Sequence, residues 1–109
     1  MTITYKVLGQ INPTASTTST LYTVGTATSC IVSTLAVCNL SNTSTTFNIA
    51  VQPGGATLAN KHYLNYATPL PGSDTITLTL GITLAATDVI SVYTTASSVS
   101  FSAFGSEIT

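Results

Sequence analysis

The sequence predicts an all-β fold: an antiparallel β-sandwich, jelly-roll-like, with about eight strands in a single domain that spans residues 1–109. Apolar and polar side chains alternate with a period of two through most of the chain, and no helical stripe interrupts them. Turns rich in Gly, Pro, Asn or Asp recur roughly every 8–14 residues. Evenly spaced strands with such turns are typical of sandwiches and jelly rolls, whereas βαβ units need helices between the strands.

The predicted strands, in chain order, are residues 2–11, 20–24, 29–40, 47–51, 60–70, 75–84, 88–95 and 99–104. In the first strand, Ile3, Tyr5 and Val7 share one face. The third strand is apolar or small on both faces, which predicts a central strand or one that is covered by a partner. Residues 105–109 are expected to form a tail after the last strand.

Residues 75–84 alternate most regularly, and we predict one continuous strand there. Its buried face, which Gly81 does not interrupt, would consist of Ile76, Leu78, Leu80, Ile82 and Leu84. The opposite face would present only the hydroxyl groups of Thr75, Thr77, Thr79 and Thr83. Because threonine has a high β propensity and no charge, we interpret this face as a surface for packing against protein, with Thr75, Thr77 and Thr79 as candidate interface residues.

Charged side chains are rare, since Asp, Glu, Lys and Arg make up 5 of the 109 residues, against roughly a quarter of an average soluble domain. In their place stand 23 Thr and 13 Ser. With 44% hydrophobic residues, the chain is expected to fold rather than to stay disordered. Two lysines are too few for binding nucleic acid or an anionic membrane, and no apolar run approaches the roughly 18–20 residues that span a bilayer. We expect neither nucleic acid nor membrane as a partner.

The first residues follow a strand pattern and lack the basic and apolar regions of a signal peptide, so we expect synthesis and folding in a cytoplasm. Cys30 and Cys38 lie in one predicted strand, where eight residues span roughly 26 Å, and a disulfide needs Cα atoms within about 7 Å. We therefore expect two unbridged thiols that act as small apolar side chains.

The residues able to perform chemistry are few and scattered: one His, three carboxylates, two Cys and two Lys. A metal site needs three or four converging ligands, and a catalytic cysteine needs a neighbouring base, and neither pattern is found. Asp74 and Asp88 each precede a strand, where Asx turns explain them. The sequence therefore predicts a protein that is not an enzyme and has neither cofactor nor metal.

One segment, KHYLNY at residues 61–66, brings together Lys61, His62, Tyr63 and Tyr66. Exposed tyrosines next to a basic residue are typical of a protein interface or of a surface on which a sugar stacks. The alternative is an edge strand that Lys61 protects from aggregation, with Tyr66 half in the core. Both interpretations stay open, and all four residues are candidate interface residues.

Four segments resemble a family of small virion structural proteins of tailed bacteriophages, cyanophages among them: YKVLGQ at 5–10, STLAVCN at 33–39, LAATDVISVY at 84–93 and FGSEIT at 104–109. The resemblance runs nearly from end to end and implies a structural role in the particle. By analogy with small β-sandwiches of such particles, it favours a capsid cement or decoration protein, which typically sits as a trimer where capsomers meet.

The resulting hypothesis is a virion structural protein, either capsid cement or decoration, or else a tail, neck or fibre component. A surface with so few charges promotes association, and the expected partners are further copies of the chain (a homo-oligomer, trimer favoured) and the major capsid protein or other virion proteins. The N-terminal strand and residues 105–109 are candidate contacts between subunits.

Two other classes of function stay open. A receptor-binding or glycan-binding sandwich would use His62, Tyr63 and Tyr66 to contact its ligand. An ice-binding protein would use the Thr-X-Thr row at Thr75, Thr77 and Thr79, although ordering water requires such rows on several adjacent strands and the sequence contains one.

Overall fold

The computed structural model describes residues 1–79 and 81–109, and it is an all-β structure built from antiparallel strands. The described residues form nine strands, which are β1 (Ile3–Ile11), β2 (Ser19–Thr23), β3 (Ser29–Asn39), β4 (Thr45–Gln52), β5 (Tyr63–Leu70), β6 (Thr75–Leu78), β7 (Ile82–Leu84), β8 (Val89–Thr94) and β9 (Val99–Ile108). Two short 3₁₀ turns, Pro53–Gly55 and Asn60–His62, lie between β4 and β5.

The strands form two sheets that pack face to face. Sheet A has the order β1-β9-β3-β6, with β7 also paired to β3, and sheet B has the order β2-β8-β4-β5. β1 pairs with β9, β2 with β8, β3 with both β6 and β7, and β4 with β5. If β6 and β7 are counted as one strand, each strand of the first half of the chain therefore pairs with its counterpart in the second half, from the two ends of the chain inward. Such a long antiparallel hairpin, rolled into two sheets, is the arrangement of a jelly roll. The predicted fold class is confirmed.

The apolar core lies between the two sheets. Phe47 from sheet B and Phe101 from sheet A meet edge to face, with ring centroids 6.2 Å apart. Around them, the fully buried side chains include Leu35, Val37, Ile49, Leu70, Ile90, Val92 and Val99. Burial of each such side chain contributes about 1.5–3 kcal/mol, so this cluster supplies most of the driving force for folding.

The prediction of one continuous strand over residues 75–84 was wrong. β6 and β7 are separate strands, and both pair with β3. Gly81 has a φ of +63°, a left-handed conformation that an extended strand does not contain. The apolar parity survives on both sides of this break, in Ile76, Leu78, Ile82 and Leu84. Leu80, which was assigned to the same face, lies outside the described residues.

The expected tail at residues 105–109 was also wrong, because β9 continues to Ile108. It lies between β1 and β3 in sheet A and pairs with both over its length. Just beyond the strand ends, Thr2 and Thr109 exchange two backbone hydrogen bonds of 2.8 and 2.9 Å. This segment is therefore part of the sheet, in contact with the N-terminal strand.

β3 is a central strand of sheet A, as predicted, but only its inner face is covered by the described residues. The inner residues, which are buried, are Cys30, Val32, Leu35, Val37 and Asn39. On the outer face, Ile31 is exposed and Cys38 is half-buried. Both cysteines are free thiols, so the prediction that they are unbridged is confirmed.

Candidate interface surfaces

The side of sheet A that points away from sheet B is called here the outer face of sheet A. Residues directly opposite each other in an antiparallel pair point to the same side, so the strand pairing identifies the members of this face. They are Ile3, Tyr5, Val7 and Gln10 on β1; Ser100, Ser102, Phe104, Ser106 and Ile108 on β9; Ser29, Ile31, Thr34, Ala36 and Cys38 on β3; and Thr75, Thr77 and Thr83 on β6 and β7. Thr79, the third predicted threonine, is exposed just beyond the end of β6.

The outer face of sheet A has two halves of different chemistry. The half at the end where β1 begins, called here the apolar half, contains six apolar side chains and four hydroxyl side chains between them. The apolar ones are Ile3, Tyr5, Val7, Ile31, Phe104 and Ile108, and the hydroxyl ones are Ser29, Thr34, Thr83 and Ser106. Four of the apolar ones are well exposed: Ile3 (45%), Tyr5 (82%), Val7 (48%) and Ile31 (41%). The hydroxyl half consists of Gln10, Ser100, Ser102, Thr75 and Thr77 with Ala36 and Cys38. Three of the four exposed residues are on β1 and Ile31 is on β3, with Phe104, Ser106 and Ile108 of β9 between the two strands. Exposed apolar side chains gathered on one face are typical of contact surfaces.

Among the described residues, neither half of this face contains a charged side chain. Lys6 and Glu107, the charged residues of β1 and β9, point to the inner side, where Lys6 Nζ lies 3.1 Å from Glu107 Oε1. Tyr22 from β2 also donates its hydroxyl hydrogen to Glu107 Oε2. Both charges at this end of sheet A are therefore paired on the side opposite to the outer face.

This inner cluster joins side chains from several strands through hydrogen bonds. The hydrogen bond from Tyr22 and, next, that from Lys6 lower the pKa of Glu107. Burial, and then the hydrogen bond with Glu107, raises the pKa of the Tyr22 phenol. Burial likewise raises the pKa of the neighbouring Cys30 thiol. The cluster thus connects β1, β2, β3 and β9, and the raised pKa keeps the Cys30 thiol in its protonated, less nucleophilic form.

The second surface is the tyrosine patch, defined as Lys61, Tyr63 and Tyr66, at β5, the edge strand of sheet B. Lys61 is exposed, Tyr63 is half-buried and Tyr66 is 69% exposed. His62 is buried instead: its Nδ1 accepts a hydrogen bond of 3.0 Å from the N–H of Ala59. The N–H of His62 in turn donates to the carbonyl of Ala59. His62 therefore shapes the turn before β5, which corrects the expectation that its ring belongs to the exposed patch.

Tyr66 points to solvent because β5 is irregular. The pairing of β4 with β5 is interrupted on both sides of the Ile49–Asn65 pair. Ala67 has a φ of +50°, and its N–H donates to Asn48 Oδ1 at 2.7 Å. Counting alternate residues assumes a regular strand, and a bulge shifts the count. The alternative was therefore right that this segment is an edge strand and wrong that Tyr66 lies half in the core.

Tyr63 and Tyr66 form a T-shaped pair, with ring centroids 4.9 Å apart and planes at 81°. Together with Asn60 they line an open cleft of about 340 Å³. A second depression of about 440 Å³ is lined by Val51, Pro53, Ala56, Lys61, His62 and Leu64. Aromatic faces beside an amide provide both a stacking surface and hydrogen-bonding groups for a ligand.

No protein-family model matches this sequence. Searches of the curated proteins and of the solved structures also found no match. The outer face of sheet A and the tyrosine patch are therefore the structural features on which a proposal about function depends.

The remaining candidates have structural roles. Asp74 Oδ1 accepts a hydrogen bond from the N–H of Thr75, and Asp88 accepts from the N–H groups of Gly54 and Ala85, all at 2.8–2.9 Å. Both acids thus stabilise turns, as predicted. Among the described residues, no group of three or more His, Cys, Asp or Glu side chains could hold a metal ion. The described part of the chain also has no helix long and apolar enough to cross a membrane.

The structure does not bring the two predicted sets of interface residues together. Thr75 and Thr77 lie on sheet A, whereas the tyrosine patch lies on sheet B. The residues of β3 opposite Thr75 and Thr77 are Cys38 and Ala36. The neighbouring strand β3 therefore carries no second row of threonines beside this one. The apolar half of the outer face was not identified from the sequence, because alternation does not tell a buried apolar face from an exposed one.

Proposed function

We propose that this chain is a structural protein of a tailed-phage virion, most specifically a capsid cement or decoration protein that stabilises capsomer junctions as a homo-oligomer. Its partners would be further copies of the chain and the major capsid protein. A position in the tail, neck or fibre is the alternative within the same proposal. The observation that supports it most is the outer face of sheet A, a four-stranded surface on which no described residue is charged.

A subunit of an assembly gains from such a face. Burying a charge costs several kcal/mol unless the charge is paired, and a face of Ser, Thr and apolar residues avoids this cost. Small hydroxyl side chains also lose little conformational entropy when they are ordered at a contact. Contacts of this kind depend little on salt, because there are few ion pairs to screen.

The fold and the resemblance to phage virion proteins point in the same direction. Jelly-roll sandwiches are common in viral capsids, although they also occur in lectins, and fold alone does not establish function. Three of the four resembling segments lie in strands of sheet A: residues 5–10 in β1, residues 33–39 in β3, and residues 104–108 of the last segment in β9. The proposed role is therefore supported by the surface chemistry, by the fold class and by the resemblance.

Copy number in purified particles tests the proposal. Quantitative mass spectrometry of virions that encode this chain is expected to find hundreds of copies per particle if it is a capsid cement protein. A small symmetric number, about six or a multiple of it, would place it in the neck or tail. Absence of the chain from purified particles would contradict the proposal in both forms.

A second candidate function is favoured by one specific observation, the pair of half-buried Tyr63 and exposed Tyr66 beside the cleft of about 340 Å³. Such a surface could stack a sugar ring, which would make the chain a receptor- or glycan-binding module. A glycan array with wild type and Tyr66→Ala is the test, with Tyr5→Ala on the other sheet as the matched control. Binding that depends on Tyr66 but not on Tyr5 would support this function, and no sugar-dependent signal would exclude it.

A further inference from the structure

The outer face of sheet A is a broad surface that no described residue of this chain covers. It extends across sheet A, and its apolar half exposes Ile3, Tyr5 and Val7 on β1 and, beyond β9, Ile31 on β3. Exposed apolar clusters of this kind are a feature of protein contact sites. What occupies the face can be inferred from its charge, its area and its division into halves.

Charge limits the choice of occupant. Because none of the described side chains on the face is charged, a charged partner surface would lose its hydration there without gaining a counter-charge. A second copy of the chain offers a surface that is equally free of charge and has the same apolar half. Self-association through this face therefore leaves no charge buried without a partner.

Area is sufficient for such a contact. Four strands at about 4.8 Å spacing and about ten residues at 3.3 Å each give a face of roughly 19 by 33 Å, or about 600 Å². Two copies would thus bury about 1,200 Å² in total, which lies at the lower end of specific protein interfaces. The charge-free surface and the apolar half offset this modest size.

We propose that a second copy of this chain packs face to face on the outer face of sheet A, about a two-fold axis that runs along the strands between β9 and β3. This inference rests on the proposed function, in which the chain packs against protein. A two-fold axis along the strands places the apolar half of one copy on the apolar half of the other. A two-fold axis across the strands would instead place the apolar half of one copy on the hydroxyl half of the other. The contact gives a dimer, in contrast to the trimer that the resemblance favours.

In this arrangement Ser102 of β9 lies near the axis, over β3 of the second copy. Sedimentation equilibrium from about 1 µM to about 1 mM is expected to give a monomer–dimer equilibrium that changes little at about 1 M NaCl. Ser102→Lys would bring two lysines together in the contact and is expected to weaken dimerisation at least tenfold. Tyr66→Lys, on sheet B, is the matched control and should leave the equilibrium unchanged, with circular dichroism confirming that both variants fold.

Cys38 provides a second readout within the native chain. It is half-buried on the outer face, whereas Cys30 is fully buried. Maleimide labelling of Cys38 is expected to be fast in dilute protein, at least fivefold slower at concentrations where the dimer forms, and fast at both concentrations in Ser102→Lys.

Several results would overturn the inference: a monomer at every concentration, a trimer, or a dimer that persists in Ser102→Lys with Cys38 still reactive. The last result would place the contact elsewhere, such as at the free edge of β1. Purified particles separate this inference from the proposed function. A chain present in particles but monomeric in solution would remove the inference alone. A dimer with the expected variant behaviour that is absent from particles would remove the proposed function alone.

Discussion

The two halves of β9 differ in what they contact. In the first half, Val99, Phe101 and Ala103 point inward and are fully buried in the apolar core. In the second half, beyond Phe104, no side chain is fully buried, and Glu107 is held by Tyr22 and Lys6. One strand thus passes from an apolar core to a polar cluster.

Two β-bulges mark the level at which this change occurs. The pairing of β1 with β9 shifts between Val7 and Gly9, and the pairing of β3 with β9 shifts between Val32 and Thr34. Both shifts occur next to Phe104 of β9. Bulges bend a strand and increase its local twist, so they redirect the second half of the strand relative to the first. Both halves present outward side chains on the outer face, but we infer that the inward side chains of the first half of β9 contribute more to stability than those of the second half.

The largest effect is expected in the first half. Phe101→Ala should lower the free energy of unfolding by about 3–5 kcal/mol, because it removes a fully buried ring and leaves a cavity against Phe47. Phe104→Ala, on the outer face, is the matched control and should cost about 1 kcal/mol or less. Urea denaturation measures both. Equal losses of unfolding free energy in Phe101→Ala and Phe104→Ala would contradict the inference that the inward side chains of the first half of β9 contribute most to stability.

The second expected effect concerns the start of the second half. A Cβ atom on Gly105 would lie 2.0 Å from the carbonyl oxygen of Ile31, so the two backbones cannot keep their approach. Gly105→Ala should therefore destabilise the protein by about 1–3 kcal/mol in thermal or urea unfolding. A Cβ atom on Gly25 would have Thr28 Oγ1 as its nearest neighbour, at 3.5 Å, so Gly25→Ala should be close to neutral.

A third, smaller effect depends on pH. Because its neighbours lower the pKa of Glu107, the carboxylate adds stability above the ordinary glutamate pKa of about 4.3. That stability is lost as the pH falls through the lowered value of the folded state. Glu107→Gln should cost about 1 kcal/mol at neutral pH and make unfolding less dependent on pH in the acid range. Tyr22→Phe should reduce this dependence more than Lys6→Met, since the tyrosine has the larger effect on the pKa; the reverse order would contradict the assignment.

The smallest effect on stability is expected on the outer face. Tyr5 is 82% exposed, so Tyr5→Ser should change the free energy of unfolding of the monomer by less than about 0.5 kcal/mol. The same variant should weaken the proposed dimer, because it removes the largest side chain of the apolar half. A stability loss above about 1 kcal/mol in dilute protein would show that Tyr5 packs within its own chain.

The sequence was sufficient to predict the fold class, because alternation and turn residues depend on local chemistry. Asp74 and Asp88 could be assigned to turns for the same reason. The break at Gly81 and the outward position of Tyr66 could not be predicted, since both depend on a backbone that leaves regular extended geometry. The last residues of β9 were missed because Gly105 and Glu107 on its inner side are not apolar, and the pattern reports burial rather than strand pairing.

The pairing of β1 with β9 also has a consequence during synthesis of the chain. About 90 residues separate the end of β1 from the start of β9, so β1 emerges from the ribosome long before its neighbour. At about 5–20 residues per second, β1 waits roughly 5–20 s, with Ile3, Tyr5 and Val7 exposed to other nascent chains. The hairpin of β4 and β5, in contrast, can close as soon as it is made. We therefore expect the terminal strands to be the last to join the fold, and crowding of nascent chains to favour misassembly at β1.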